Sequence, residues 1–241
     1  MTKIEWAHAG LGRGKTWNPI RARDRRTGAR GWHCEKVSPA CANCYAERWN
    51  QRPGIGGTGL AYRPGHRADV EHYLDEQTLL APLRWKQPTG IFVCSMTDIF
   101  GDWVETEWLD KIFAIAALCP QHILIYLTKR SARMRAYMSD PRTPHRIARA
   151  IVDMWIAKQV APDDNWPVES IGDIDMPDDI KLRKWPLPNV WPGVTAEDQP
   201  RANERIPDLL ATPAAIRFVS CEPLRGHINL RRIRIAPDYH T

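Results

Sequence analysis

The chain has 241 residues, 43% of them hydrophobic, which is enough for a buried core in one large domain or two small ones. No apolar run approaches the length of a membrane span, and the N-terminus lacks an apolar signal region, so we expect a cytoplasmic protein without a membrane partner. The formal net charge of +6 permits a polyanionic partner without requiring one.

The first predicted element is followed by a basic segment. Residues 16–20 predict a short strand, with Pro19 at its edge or end because proline lacks a backbone N–H. Residues 21–30 contain five arginines and one aspartate. This charge pattern favours a solvated loop over a contact with nucleic acid.

Three of the six cysteines come next at C-x6-C-x2-C spacing: Cys34, Cys41 and Cys44. Pro39 fixes a turn in the longer gap, so the loop can direct three thiolates at one centre. The other three cysteines lie in apolar runs, as reduced core thiols do, and they indicate a reducing compartment. These are Cys94, Cys119 and Cys221.

The number of clustered cysteines bears on the kind of site they form. A structural zinc ion almost always takes four protein ligands, whereas a catalytic metal keeps one position open. An iron–sulfur cluster held by three cysteines leaves one iron free for an outside ligand. The spacing leaves three possibilities open: an iron–sulfur cluster, a zinc site completed by His33 or His66, and three unrelated thiols.

Residues 45–49, directly after Cys44, predict a helix. The glycine-rich residues 53–59 predict a flexible loop, which is not a phosphate-binding loop because no G-K-[ST] follows it. Residues 63–87 predict a mixed and partly helical segment.

From residue 91 onward, apolar strands alternate with amphipathic helices. Doubly buried strands separated by helices are typical of an α/β fold with a parallel sheet or barrel. Residues 161–188, rich in proline and aspartate, predict an insertion without regular elements. The predicted strands are 91–95, 122–127, 189–194 and 216–220, and the predicted helices are 105–118, a segment ending at Met138, 143–160 and about 200–210.

Polar side chains follow the predicted strands at the points where they end. In parallel α/β folds, functional groups gather at the carboxyl ends of the strands. Taken singly, several of these residues are expected to cap helices instead. Their shared position at the cysteine end of the sheet indicates a site. The residues are Ser95, Thr97, Asp98, Thr128, Lys129, Arg130, Thr195, Glu197, Ser220 and Glu222.

Six motifs occur in collinear order between residues 16 and 230. They are Trp-Asn-Pro at 17–19, Lys-Val-Ser-Pro-Ala-Cys-Ala-Asn-Cys-Tyr-Ala-Glu at 36–47, Ser-Met-Thr-Asp-Ile-Phe at 95–100, Leu-Thr-Lys-Arg at 127–130, Trp-Pro-Gly-Val-Thr-Ala-Glu at 191–197 and Ser-Cys-Glu-Pro-Leu at 220–224. Together they resemble a phage-associated family of uncharacterised, three-cysteine, radical-SAM-like proteins. A more distant likeness is to the spore photoproduct lyase group, which shares a Thr-Asp after one strand and a Leu-Thr-Lys after the next.

The resemblance implies one α/β domain over residues 1–241, built as a partial (βα)6 TIM-like barrel of the radical SAM type. It implies a [4Fe–4S] cluster on Cys34, Cys41 and Cys44 whose open iron takes S-adenosyl-L-methionine. Reduction by a flavodoxin- or ferredoxin-type partner would then generate a 5′-deoxyadenosyl radical, in the bacterial host cell of a phage or mobile element. The cofactor-binding residues that the resemblance implies are Ser95, Thr97, Asp98, Lys129, Thr195, Glu197 and Glu222.

Two features depart from the pattern of radical SAM enzymes. The C-x6-C gap is longer than in their commonest motif, C-x3-C-x2-C. The chain also ends at Thr241, where relatives continue with a Gly-Gly-Glu strand. We therefore expect the sixth barrel strand to be missing unless residues 233–235 begin it, and a partner chain could complete the barrel.

Two functions remain open from the sequence. The first is a radical SAM enzyme whose substrate is a nucleic acid or nucleotide. The alternative is a non-catalytic phage protein in which zinc or an iron–sulfur cluster staples a nucleic-acid-binding module.

Overall fold

The computed structural model of the chain describes residues 4–52, 56–170 and 180–233. Ten strands and six α-helices lie within these ranges. The strands are β1 (Gly14–Trp17), β2 (Ile20–Asp24), β3 (Arg30–Gly31), β4 (Val70–Leu74), β5 (Gly90–Val93), β6 (Ile123–Thr128), β7 (Val168–Ser170), β8 (Ile180–Leu182), β9 (Val190–Thr195) and β10 (Phe218–Ser220). The helices are α1 (Tyr45–Asn50), α2 (Glu76–Leu79), α3 (Thr106–Leu118), α4 (Ser131–Ser139), α5 (Thr143–Ile156) and α6 (Gln199–Ala211).

Five strands form a parallel sheet in the spatial order β1-β5-β6-β9-β10. This order matches the order along the chain, so each crossover joins neighbouring strands. Because parallel crossovers are right-handed, such a sheet carries its connections on one face. Within the described ranges β1 pairs only with β5 and β10 only with β9, so the sheet is open and no barrel closure is seen. The predicted α/β class with a parallel sheet is confirmed.

Packing between this sheet and α3 forms the centre of the core. All four residues of β5 are buried, as expected of an inner parallel strand covered on both faces. Phe113 of α3 stacks on Tyr126 of β6 with ring centroids 4.9 Å apart, and α3 packs along α5. No helix in the described ranges is both long enough and apolar enough to cross a bilayer.

The predicted first strand, residues 16–20, is divided between two sheets. β1 ends at Trp17, and Ile20 begins β2 in an antiparallel sheet of order β3-β2-β4. Pro19 cannot donate a ladder hydrogen bond, and Asn18 directs its amide into the loop after β5. The predicted bounds are therefore wrong, because the chain leaves the parallel sheet after Trp17.

The arginine-rich segment 21–30 is not the solvated loop that its composition predicted. It contains most of β2 and the start of β3, which pair antiparallel. Asp24 closes the turn between them by accepting hydrogen bonds from the backbone N–H groups of Arg26 and Thr27, at 2.7 and 3.2 Å. Buried and half-buried residues alternate along β2, which is the period-two signal of a half-buried strand.

The segment 161–188, predicted to lack regular elements, contains a small two-stranded sheet. β7 and β8 pair antiparallel, and Val168 and Leu182 lie in the core. The prediction is therefore wrong for these strands, while residues 171–179 between them fall outside the described part of the chain. The sixth parallel strand predicted to begin at 233–235 also falls mostly outside it, since Ile233 is the last residue described.

Gly90, the first residue of β5, lies where another segment approaches too closely for a side chain. A Cβ atom there would collide with the carbonyl oxygen of Ala7. We expect Gly90→Ala to lower the free energy of unfolding by about 1–3 kcal/mol, the usual cost of overpacking. At Gly65, where a Cβ would meet no atom, the same substitution should change it by about 0.5 kcal/mol or less. Equal effects in urea unfolding would contradict the packing at Gly90.

Candidate metal and cofactor site

The cysteine segment, residues 33–45, is hydrogen-bonded to the loop that follows β5, at the carboxyl end of the parallel sheet. Near one end of the segment, the Thr97 hydroxyl donates to the carbonyl of His33 at 2.5 Å. At the other end, the Tyr45 hydroxyl donates to the carbonyl of Ser95 at 2.7 Å. Ser95 and Thr97 both belong to the predicted site. The structure therefore brings the cysteines and this strand end together.

The three clustered cysteines differ in their local structure. Cys34 follows β3, Cys41 lies in a 3₁₀ turn (Pro39–Asn43), and Cys44 immediately precedes α1. All three are half-buried free thiols, and the Ser38 hydroxyl lies 3.8 Å from the sulfur of Cys41. Among the other cysteines, Cys94 and Cys119 are buried and Cys221 is half-buried.

The pKa of the Cys34 thiol is strongly shifted. Burial raises its pKa to about 12, and the nearby Asp98 carboxylate adds to this shift. The Arg130 guanidinium and the backbone N–H of Asp98 act in the opposite direction, since both stabilise a thiolate. As a free group Cys34 is therefore protonated at neutral pH, and a metal that binds it must displace this proton.

A single metal ion needs several donor atoms that converge on one point, at about 2.3 Å for zinc and sulfur. Among the described residues, no group of three or more His, Cys, Asp or Glu side chains is placed in this way. His33 is buried edge-on against the Trp103 ring at 5.2 Å, and His66 pairs with Asp69 at 2.8 Å. The described residues thus contain no ready-made zinc site made of the cysteines and either histidine. An iron–sulfur cluster requires a different arrangement of sulfur atoms. Each of its cysteines binds a different iron atom, so the sulfurs surround the cluster and do not converge on one point.

Asp98 is the most heavily hydrogen-bonded of the predicted site residues. One carboxylate oxygen accepts from the Thr128 hydroxyl at 2.6 Å and from the backbone N–H of Phe100 at 3.0 Å. The other accepts from the backbone N–H of Lys129 and from Arg130, both at 3.1 Å. These bonds connect the loop after β5 to the end of β6, so the carboxylate fixes the two segments relative to each other. We call this network the Asp98 brace.

Arg130 connects this brace to the cysteine segment. Its guanidinium donates to the carbonyl of Glu35 at 3.3 Å while it pairs with Asp98. It also lies over the Trp103 ring, 4.7 Å from the ring centroid. A nearly buried cation is thereby fixed beside Cys34, where it would offset the negative charge of a metal-bound thiolate.

Lys129 and Thr195 are the second pair of predicted site residues that the structure brings together. The Lys129 ammonium donates to the Thr195 hydroxyl at 3.4 Å, which links the ends of β6 and β9. Glu197 instead pairs with Arg205 of α6 at 3.0 Å, and both side chains are buried. Its second carboxylate oxygen accepts no hydrogen bond from the described residues.

Glu222, like Glu197, has a side chain that forms no bond to the other predicted site residues. It is exposed just beyond β10, and no hydrogen bond or ion pair joins its side chain to the described residues that line the strand ends. The structure therefore places Ser95, Thr97 and Asp98 beside the cysteine segment, places Lys129 with Thr195, and leaves Glu222 on the surface.

Three residues that position the site were missed in the sequence. Asn18 accepts a hydrogen bond from the backbone N–H of Met96 at 2.9 Å, and Tyr62 donates to the carbonyl of Met96 at 2.7 Å. Tyr45, the third, holds the backbone of Ser95 through its hydroxyl. Signals for two of them were present, because Asn18 lies in the Trp-Asn-Pro motif and Tyr45 directly follows Cys44.

The glycines after α1 predicted a flexible loop, but residues 56–59 pack against α1. The buried amide of Asn50 donates to the Thr58 hydroxyl at 2.7 Å and accepts from the backbone N–H of Trp32 at 2.9 Å. A Cβ at Gly57 would collide with the backbone of Asn50. Residues 56–59 therefore brace α1, and residues 53–55 of the predicted flexible loop lie outside the described part of the chain.

The Asp98 brace generates a stability prediction. Asp98→Asn keeps the shape of the side chain but leaves the nearly buried charge of Arg130 without its counter-ion. We expect the free energy of unfolding to fall by about 3 kcal/mol, as is usual when one partner of a buried ion pair is removed. The control is Glu107→Gln, which breaks the exposed pair with Lys111 and should cost less than about 1 kcal/mol. Similar losses for both variants in urea unfolding would rule out the brace.

The lowered pKa of His72 makes the stability of the protein depend on pH. His72 of β4 packs edge-on against His33 at 5.0 Å, and burial, followed by nearby positive charges, lowers its pKa from 6.5 to about 4. Between these two pH values the unfolded chain binds more protons than the native protein at this position. The free energy of unfolding should therefore decrease as the pH falls through this window.

The measurement is a series of urea titrations at several pH values. Burial lowers the pKa of the neighbouring His33 to about 4 as well, so His72→Phe is expected to reduce the dependence on pH without abolishing it. The same substitution at the exposed His227 serves as the control. A parent protein and a His72→Phe variant with equal slopes would show that His72 does not contribute to the pH dependence.

Comparison with known proteins gives one match. No curated protein and no solved structure matches the chain. A family model described as "Protein of unknown function (DUF5131)" matches residues 1–236. Since this match extends over almost the whole sequence, the chain belongs to the DUF5131 family.

Proposed function

We propose that the protein is a radical SAM-type iron–sulfur enzyme in which Cys34, Cys41 and Cys44 hold a [4Fe–4S] cluster. The observation that carries this proposal is the attachment of the cysteine segment to the carboxyl ends of β5 and β6. This is the end of a parallel α/β sheet at which cofactors and substrates are bound. The number of cysteines supports it as well, because three ligands leave one iron for an outside group.

The donor set fits such a cluster. The three thiols are half-buried and unpaired by disulfides, and Cys34 lies in a desolvated position next to a fixed cation. Arg130 and the backbone N–H of Asp98 both favour the thiolate form of Cys34 that iron requires. On this side of the segment, the buried Trp103 ring lies beneath the Arg130 guanidinium.

Four of the predicted site residues then have a task that their contacts support. When bound, the cluster and S-adenosyl-L-methionine supply the one-electron chemistry that cleaves the sulfonium, and the chain binds and orients them. The ammonium of Lys129, which makes a long contact with Thr195, is available to bind the carboxylate of the methionine moiety. Ser95 and Thr97 fix the loop that faces the cysteines, and Asp98 holds Arg130 in place.

The topology is compatible with a partial barrel of the radical SAM type. Strands that follow one another in chain order, with right-handed crossovers, give the arrangement of such a barrel. In this proposal β10 is the fifth barrel strand, and a sixth strand or a partner chain would lie beyond it. A flavodoxin- or ferredoxin-type reductant in the bacterial host cytoplasm would supply electrons, and the positive net charge supports a nucleic acid or nucleotide substrate.

The test begins with iron. After anaerobic reconstitution, the parent protein should contain about four irons and equivalent sulfide per chain, as a three-cysteine [4Fe–4S] site requires. Cys41→Ser should lose most of this iron because one ligand is gone. The control is Cys221→Ser, which removes another half-buried thiol and should leave the iron content unchanged. Equal iron in the two variants would refute the assignment of the ligands.

Calorimetry of the reconstituted protein with S-adenosyl-L-methionine then separates the two functions. Binding, together with release of 5′-deoxyadenosine after reduction, supports the enzyme. Lys129→Met should weaken this binding while it leaves the iron content unchanged. A full cluster that binds no S-adenosyl-L-methionine, or zinc in place of iron, would instead favour the non-catalytic, metal-stapled module.

A further inference from the structure

We propose that a basic groove at the amino ends of β1 and β5 binds the phosphate backbone of a single-stranded nucleic acid. The basic groove is lined by Arg13, Lys15, Arg84, Trp85, Lys86 and Thr89, among others, and has a volume of about 330 Å³. This proposal goes beyond the iron–sulfur enzyme and does not depend on it. The groove and the cysteine segment lie at opposite ends of the parallel strands.

The sheet itself brings the basic side chains together. Gly14 pairs with Gly90 at the start of β1 and β5, so Arg13 and Thr89, the residues that precede these strands, are neighbours. The backbone N–H of Gly90 donates to the carbonyl of Arg13 at 3.0 Å, which fixes this register. Residues 84–86, at the end of a short 3₁₀ turn and just beyond it, form the other wall.

The charge of the groove is not neutralised from within. Four of its lining residues are cations, and none is Asp or Glu. Arg13, Lys15, Arg84 and Lys86 are all exposed, and none forms an ion pair with the described residues. Four uncompensated positive charges around one concave surface attract a polyanion, and their mutual repulsion is relieved when one binds.

In a second cavity of similar size, the positive charges of two arginines are paired with carboxylates. It holds about 340 Å³ and includes Arg142 and Arg146 in its lining. There, Asp140 pairs with both arginines, and Arg146 also pairs with the buried Asp110. Those charges are satisfied within the protein, whereas the charges of the basic groove are not.

Trp85 favours a single strand over a duplex as the ligand. It is half-buried in the groove, and the Lys15 ammonium lies 4.0 Å from its ring centroid. Proteins that bind single strands combine a cationic groove with an aromatic side chain of this kind. An open groove of this volume admits a backbone and one base, while paired strands present their phosphates on a wider surface. Recognition of phosphate implies little dependence on base sequence.

The experiment is fluorescence anisotropy with an end-labelled DNA strand of about 12 nucleotides, within the usual range for such sites. The full chain is titrated at several salt concentrations. Arg84→Ala/Lys86→Ala should weaken binding and reduce the slope of log K against log salt by about 0.7 for each phosphate that is no longer neutralised, or about 1.4 in all. The matched control, Lys184→Ala/Arg232→Ala, removes one lysine and one arginine at exposed positions elsewhere and should leave the slope unchanged.

Three further measurements separate this proposal from the iron–sulfur proposal and identify the class of ligand. A Cys41→Ser variant should bind the strand as the parent does, so a failure of the iron–sulfur proposal leaves this one standing. A duplex of the same sequence should bind more weakly, and inorganic phosphate should compete only through ionic strength. The proposal is overturned if the two double variants bind alike, if the duplex binds as tightly as the single strand, or if inorganic phosphate displaces the strand specifically.

Discussion

The carboxylate of Asp98 is the interaction on which the arrangement of the site depends. It accepts four hydrogen bonds, from donors at the ends of β5 and β6, and one of these donors is the charged group of Arg130. Removing a charge from water is costly unless it is paired and hydrogen-bonded, and here the chain supplies both. Because Arg130 also donates a hydrogen bond to the Glu35 carbonyl, the same network fixes the position of the cysteine segment relative to the sheet.

The strand–helix alternation after residue 90 could be predicted because its physical signals are local. Short apolar runs and helical periodicity placed β5, α3, β6, α4, α5, β9 and α6 close to their observed bounds. The errors lie where tertiary pairing overrides composition. Arginines at 21 and 23 suggested a loop, yet the pairing of β2 with β4 makes them the outward positions of a strand. Likewise, β7 and β8 become strands because they pair with each other, and β8 packs on α5.

For the candidate site, the sequence identified the residue types but not their partners. A polar residue after a strand can cap a helix, brace the backbone or face a ligand, and spacing does not separate these roles. Asp98 proved to be a brace, and Glu197 is paired with Arg205, which lies eight residues further along the chain on α6. The roles of Tyr45 and Tyr62 could not be predicted from a periodic pattern. Each hydroxyl donates to a backbone carbonyl in the loop after β5, which is distant in the sequence.

The shortness of β1 has a consequence for the path of a bound strand. With four residues at about 3.3 Å each, the distance from one end of β1 to the other is only about 13 Å. β1 is also an edge of the sheet, and Lys15 and Thr16 face solvent along it. A flexible polymer bound at the amino end would therefore need only a few of its own repeat units to extend beside this edge to the carboxyl end of β1. The edge of the sheet would in this way connect the basic groove to the cysteine segment.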